Sequence, residues 1–298
     1  MIGILVSMIG KGLEGEGLLA GLASPTVTMT STPEDTPIVP LTRTPEKSAT
    51  PTDTPTPTKT ATPEFRIGLT EVSSKDGMIL LAVPAGEFEM GSNGGGSDEK
   101  PIHTVYLDAY WMDQTEVTNA MYEKCVEAGK CEKPRGSDYE NSSYSNHPVV
   151  YVDWQSAQDY CEWAGRRLPT EAEWERAARG TDGRTYPWGE GIDSSLANYG
   201  QNVNDTTKVG SYPQGASPYG ALDMAGNVWE WVLDWYDSDY YSNSPAENPQ
   251  GPSTGEYRVL RGGSWGYYGM LPRSAHRLRH DPSNDVSGLG FRCALSNP

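Results

Sequence analysis

Apolar positions fall into three regimes along the chain. Residues 1–24, MIGILVSMIGKGLEGEGLLAGLAS, open apolar, but Lys11, Glu14 and Glu16 break the run and no basic region precedes it. A transmembrane helix needs about 20 apolar residues, so no span is predicted here. The segment reads either as a poor signal sequence or as the remnant of a mis-assigned start. Residues 25–64 have no apolar period at all. Their Thr-Pro repetition removes backbone donors, favours extended polyproline geometry and offers nothing to bury. A semi-rigid stalk is predicted, open to glycosylation on Thr, of the kind that holds a domain away from a membrane or wall. From residue 65 to 298 the pattern is globular, with no second linker, and predicts one domain.

Within that domain, apolar residues recur at helical spacing in three places. Residues 116–128 (EVTNAMYEKCVEA) follow Thr115 as a cap and stop at Gly129. Residues 154–164 (WQSAQDYCEWA) follow Asp153 as N-cap and stop at Gly165, with Trp154, Ala157, Cys161 and Ala164 on one face. Residues 171–179 (EAEWERAAR) open with a capping box, Thr170 and Glu173, and stop at Gly180. Short strands are predicted at 79–83, 105–107 and 258–261. Gly, Pro, Asn, Asp and Ser punctuate the rest every few residues. The expected class is α+β, irregular and loop-rich, leaning on crosslinks, ions and aromatic packing for rigidity.

Composition sharpens this picture. Apolar content is 36%, but nine Trp and 17 Tyr supply large buried area per residue. The net charge of −17 disfavours nucleic acid and anionic membranes as partners. Charge is uneven, however. Arg258, Arg261, Arg273, Arg277, Arg279 and Arg292 share their stretch with only Asp281 and Asp285. This island either pairs with carboxylates elsewhere, the simpler expectation, or binds an anionic ligand. The four cysteines, Cys125, Cys131, Cys161 and Cys293, form no CxxC pair, which argues against zinc. An even count in a chain read as exported predicts two disulfides. Cys125 and Cys131, joined by VEAGK across a helix end, are close enough for a local bridge.

Six motifs then occur in order: VPAGEFEMGS (83–92), TEVTNAMYEKC (115–125), HPVVYVDWQSAQDYCEWAGRRLPTEAEWERAARG (147–180), YPWG (186–189), VGSYPQGASPYGALDMAGNVWEWVLDWY (209–236), and RVLRGGSW with GFRCA (258–294). Over nearly all of 75–296 the domain resembles the formylglycine-generating enzyme family, also called sulfatase-modifying factors. The resemblance implies a fold related to C-type lectins. The family includes copper oxidases that convert a sulfatase cysteine to formylglycine, the sulfoxide-forming domain of ergothioneine synthesis, non-catalytic paralogues, and the displayed variable proteins of diversity-generating retroelements. Fold alone therefore does not fix function.

The family oxidase holds copper(I) with two thiolates shortly after its GGS motif, because soft copper(I) needs soft ligands. The matching stretch after Ser264 reads WGYYGMLPR, and no cysteine lies between Cys161 and Cys293. The resemblance pairs Cys161 with Cys293. A second family disulfide would fall near Ala178 and Ser274, where both cysteines are missing. With Cys125 and Cys131 also bridged, no thiolate remains. Met90, Met224 and Met270 offer only thioethers, which more often pack. Copper is not expected. The only histidines are His103, His147, His276 and His280, and their flanks suggest no shared helix face for iron. Ser264 has no GxSxG elbow and no assigned base, so it is expected to tie a loop.

Calcium is expected as a structural ion, since irregular loops supply the six to eight hard oxygens it takes. Carried over from the family, one site matches Asp223, the Gly226 and Val228 carbonyls and Glu230; the other matches Asn198, the Tyr199 carbonyl and Asp205. The alternative is that Asn227 and Glu230 satisfy backbone donors in a Trp-rich turn.

Two functional readings follow. In the first, the chain is a non-catalytic binding module on a stalk. Its ligand face is Ser264, Trp265, Tyr267, Tyr268, Arg273, His276, Arg277, Arg279, His280, Asn284 and Asp285. Tyr with Ser, Gly and Asn between stiff anchors is the composition of adaptable recognition surfaces, and it is similar to the variable segment of retroelement-diversified proteins. The partner would be a protein, peptide or glycan. In the second, it is a formylglycine-generating oxidase with an unusual site. Either way the expected location is extracytoplasmic, secreted or at the cell surface, with tethering to a membrane or wall through the stalk.

Overall fold

Ten short strands, three α-helices and five single-turn 3-10 helices, joined by long irregular segments, are found in the described residues, 65–266 and 272–297, of this computed structural model. In chain order they are β1 (Thr70–Val72), β2 (Ile79–Val83), β3 (Gly86–Met90), β4 (His103–Leu107), β5 (Tyr110–Asp113), α1 (Asn119–Glu127), α2 (Trp154–Trp163), α3 (Glu171–Arg179), β6 (Trp229–Trp235), β7 (Arg258–Arg261), β8 (Leu278–His280), β9 (Leu289–Phe291) and β10 (Ala294–Ser296). One antiparallel sheet runs β1-β2-β5-β10, β3 and β4 form a hairpin, and a second sheet runs β8-β7-β6-β9. In that second sheet β6 and β9 are parallel while the other pairs are antiparallel. The mixed architecture with long irregular connections is the α+β class expected. The segments 1–24 and 25–64 lie outside the described residues.

Local chemistry explains where the helices begin. Asp153 accepts the Ser156 amide at 2.8 Å and starts α2. Thr170 and Glu173 form the reciprocal box at α3, with bonds of 3.2 and 2.8 Å. The expected cap of α1 is corrected: Thr118 accepts the Met121 amide at 3.2 Å, three residues beyond Thr115. Residues 116–117 are held extended instead, with the Val117 amide donating to the Phe291 carbonyl and its carbonyl accepting from Val149. Tertiary pairing there outweighs helical propensity.

Strand β6, WEWVLDW, organises the interior. Alternate residues point to opposite faces. Trp229, Trp231 and Leu233 join one core, with Tyr122, Tyr160, Phe291 and both ends of the Cys161–Cys293 bridge. Val232 joins the other, around Trp174, Tyr110, Met112 and Val259. Glu230 and Asp234 share the Val232 face and are buried. Each is satisfied: Glu230 accepts from Arg292 Nε and Nη2 at 2.7 Å and from Trp174 Nε1 at 2.8 Å, and Asp234 accepts the Glu171 amide at 2.8 Å. A strand carrying two acids is thus buried on both sides because each acid meets fixed donors.

The Cys161–Cys293 disulfide ties α2 to the residue before β10, and Cys125–Cys131 closes the end of α1. All four cysteines are bridged, in the pairs expected. Among the described residues no helix is long and apolar enough to cross a membrane.

Candidate functional site

The RGGSW stretch turns a corner between β7 and the cavity it borders. Gly262 and Gly263 both adopt positive φ, 91° and 81°. A Cβ on Gly262 would stand 3.3 Å from the Trp174 ring, and one on Gly263 would stand 2.9 Å from Pro272. Both positions therefore require glycine. Ser264 follows, buried. Trp265 is pinned through its backbone, donating to the Asn227 carbonyl at 3.0 Å and accepting from the Gln201 amide at 2.7 Å. Beyond the five residues 267–271, the chain is pinned again. Ser274 donates to the Thr185 carbonyl, and the Arg261 guanidinium gathers the carbonyls of Ser274, Ala275 and His276.

Between these anchors, β8 and the 286–289 turn enclose a cavity of about 310 Å³. Its apolar wall is Trp229, Leu260, Trp265, Leu278, Val286 and Leu289; Ser264, His280, Gln201 and Ser287 add polar edges. Trp265 Nε1 is buried with no acceptor. His280 Nδ1 lies 2.9 Å from Asn284 Nδ2, which orients the ring. A cavity of this size, apolar with a few convergent polar groups, has the make-up of a ligand site.

The expected ligand face is only partly assembled here. Ser264, Trp265 and His280 line the cavity, and Asn284 supports His280. His276 sits half-buried against the Trp229 ring. Arg277 is buried on Glu171, with bonds of 2.6 and 2.9 Å. Arg273 grips Glu99 with two bonds and faces a different cavity. Arg279 is exposed on the faces of Tyr236 and Tyr257, and Asp285 pairs with Arg135 at 3.4 Å. Tyr267 and Tyr268 lie outside the described residues. Leu278, Val286 and Ser287 fall within the 264–288 loop region expected to carry the ligand, whereas Gln201, Trp229, Leu260 and Leu289 lie outside it. The Trp229 of GNVWEW was visible as a motif; Gln201 carries no signal at all, because its role is a tertiary hydrogen bond.

The arginine island resolves mainly into pairing. Arg261 bonds Glu175 at 2.6 Å, Arg277 bonds Glu171, Arg273 bonds Glu99 and Arg292 bonds Glu230. Arg258 instead lies between Trp154 and Trp235, at 3.7 and 3.5 Å from the ring centroids.

The oxygen sets named for calcium lie close to the cavity's support. Asn198 donates from Nδ2 to the Asp205 carbonyl at 2.8 Å, and its buried Oδ1 has no partner. Asp205 accepts from Tyr144 Oη and the Thr206 amide. The Asn198 carbonyl accepts from the Asn227 amide, and so connects to the residue that holds Trp265. In the other set, Asp223 accepts the Gly210 amide at 2.6 Å, while Glu230 is already committed to Arg292 and Trp174. Glu116, which sequence reasoning missed, is buried next to them and accepts from Asn227 Nδ2 at 2.8 Å. Burial pushes its carboxyl well up, and the charges of Asp223 and Glu230 push it further.

The sulfatase-modifying factor enzyme 1-like domain model matches residues 66–297. The chain belongs to this family. Within it, the formylglycine-generating enzyme of Streptomyces coelicolor is 36% identical over 279 residues, 72% of this chain and 88% of that protein. The serine/threonine-protein kinase pkn1 of Chlamydia caviae is 42% identical over 235 residues, 72% of this chain. The chain spans only 37% of that kinase's length. Among solved structures, PvdO from Pseudomonas aeruginosa aligns with a TM-score of 0.68 at 27% identity, over 78% of this chain and 99% of that one. Treponema denticola variable protein 1 aligns with a TM-score of 0.65 at 26% identity, over 77% and 99%.

Proposed function

We propose that the chain is a non-catalytic, ligand-binding member of this family, displayed outside the cytoplasm on its Thr/Pro-rich segment. The observation that carries this reading is the cavity between Ser264 and Leu289, built on two fixed anchors and walled by Trp229 and Trp265. The similarity to a protein named as variable, over 99% of that chain, supports it. So does the state of sulfur: every cysteine is in a disulfide, leaving no thiolate of the kind copper(I) requires. The two bridges also favour an oxidising compartment. The ligand is a protein, peptide or glycan that presents an apolar group to the tryptophans and a hydrogen-bond acceptor to Trp265 Nε1.

Calcium belongs to this proposal as a structural ion. Asn198 Oδ1 fits, being a buried oxygen without a donor; the Tyr199 carbonyl and the Asp205 carboxylate, which also accepts from Tyr144 and the Thr206 amide, would add part of the six to eight oxygens required. Asp223 with the Gly226 and Val228 carbonyls is the second set, where Glu230 fits poorly because its carboxylate already takes three N–H groups. When bound, the ion supplies fixed positive charge to a carboxylate-rich interior.

Two measurements test the function. Peptide and glycan arrays should bind the native chain and lose that binding with Trp265→Ala, His280→Ala or the Tyr267→Ala/Tyr268→Ala double variant; equal binding by all would move the site elsewhere. The non-reduced protein should show no titratable thiol and no stoichiometric copper(I) complex. Two free thiols with one tightly bound copper would instead make the chain a formylglycine-generating oxidase.

A further inference from the structure

A second cavity, of about 330 Å³, lies between the 91–102 loop, the end of α3 and the chain at 273–275. Among the described residues three arginines line it, Arg179, Arg184 and Arg273, and no Asp or Glu does. In a chain with 40 acids against 23 bases, that segregation is unusual. Much of the remaining wall is glycine, at Gly91, Gly94 and Gly183, which leaves backbone open to close approach.

The carboxylates that pair with these arginines are not lining residues. Arg273 is held by Glu99, at 2.7 and 2.6 Å, through Nη1 and Nη2. Arg179 bonds Glu175 at 2.8 Å and the Gly91 and Gly183 carbonyls at 2.7 Å. Arg184 is held by Asp182, at 2.8 and 2.7 Å, and donates to the Pro187 carbonyl at 3.0 Å. A guanidinium has five N–H donors. These partners therefore fix each fork without exhausting it. Arg179 is only 6% exposed, so its charge at the cavity wall is largely desolvated and attracts an anion more strongly than it would in water.

We propose that this cavity is an oxyanion site, taking a tetrahedral phosphate or sulfate group on Arg179, Arg184 and Arg273. It is separate from the tryptophan-walled cavity and does not depend on the function assigned to that one. The arginines are pre-positioned by their carboxylates, so little side-chain freedom is lost when the anion enters. The cavity is wider than one such ion needs, which leaves room for whatever the group is esterified to.

The test is calorimetric titration of the full chain with inorganic phosphate, inorganic sulfate and O-phosphoserine, each against sodium chloride of equal ionic strength. Saturable binding of at least one is expected. Tighter binding of phosphoserine assigns the site to an esterified group, and tighter binding of the inorganic ions assigns it to a free one. Arg184→Ala should weaken binding about tenfold or more, the worth of a charge-assisted bond. Asp182→Asn keeps an amide oxygen to hold Arg184 but removes the competing exposed charge, and should tighten binding about threefold. Both variants should keep the parent unfolding midpoint in chloride. No saturable binding of any of the three, or the same affinity in all three proteins, would overturn the proposal.

Discussion

Arg258 lies between Trp154 and Trp235 and donates from Nη1 to the Leu233 carbonyl at 2.5 Å. Burial draws its pKa down to about 10, although Asp234 pulls the other way. A planar guanidinium can meet two ring faces at once, and an ammonium cannot. Arg258→Lys should therefore cost about 1–2 kcal/mol despite keeping the charge, as read from the urea midpoint. Asp113 and Asp76 share Arg166, with Asp113 also accepting the Cys293 amide at 2.9 Å. Burial pushes Asp113 from 3.8 up to about 7 even though Arg166 opposes it. An acid whose folded pKa is raised keeps its proton longer in the folded state. Its contribution then favours folding at low pH and fades as pH climbs through that window. The share of stability that Asp113 contributes should accordingly fall between about pH 4 and pH 7, so the difference in unfolding free energy between the native chain and Asp113→Asn should change across that window in denaturation curves. Sequence could name these residues but not their pairing. Arginines sharing one stretch turned out to reach partners as distant as Glu99 and Glu171.

The three helices were legible because their signals are local: a cap, a period and a glycine stop within a dozen residues. Even so, α1 begins three residues late, since Val117 is claimed by strand-like bonds to Phe291 and Val149. Strand β6 is missed for the opposite reason: its Glu230 reads as a calcium ligand or as part of a Trp-rich turn until Arg292 is placed beside it, and Asp234 needs the start of α3. Part of the candidate site is hidden in the same way: Ser264, Trp265 and His280 lie in one readable stretch, whereas Gln201 and Trp229 arrive from elsewhere in the chain. The two disulfides act on very different loop lengths, with sequence separations of 132 and 6. Chain entropy assigns about 5 kcal/mol to the long bridge and about 2 kcal/mol to the short one. Replacing Cys161 and Cys293 by alanine should thus lower stability by clearly more than replacing Cys125 and Cys131, measured by chemical denaturation.

At the scale of the molecule, the described residues hold two hydrophobic cores, two four-stranded sheets and two disulfides. The anchoring of Trp265 by Asn227 and Gln201, and of Ser274 by Thr185 and Arg261, has a practical corollary. The two clamps are built from groups that belong to neither end, so each stands without the other: Arg261→Lys should free the Ser274 side, while amide exchange at Trp265 stays as slow as in the parent.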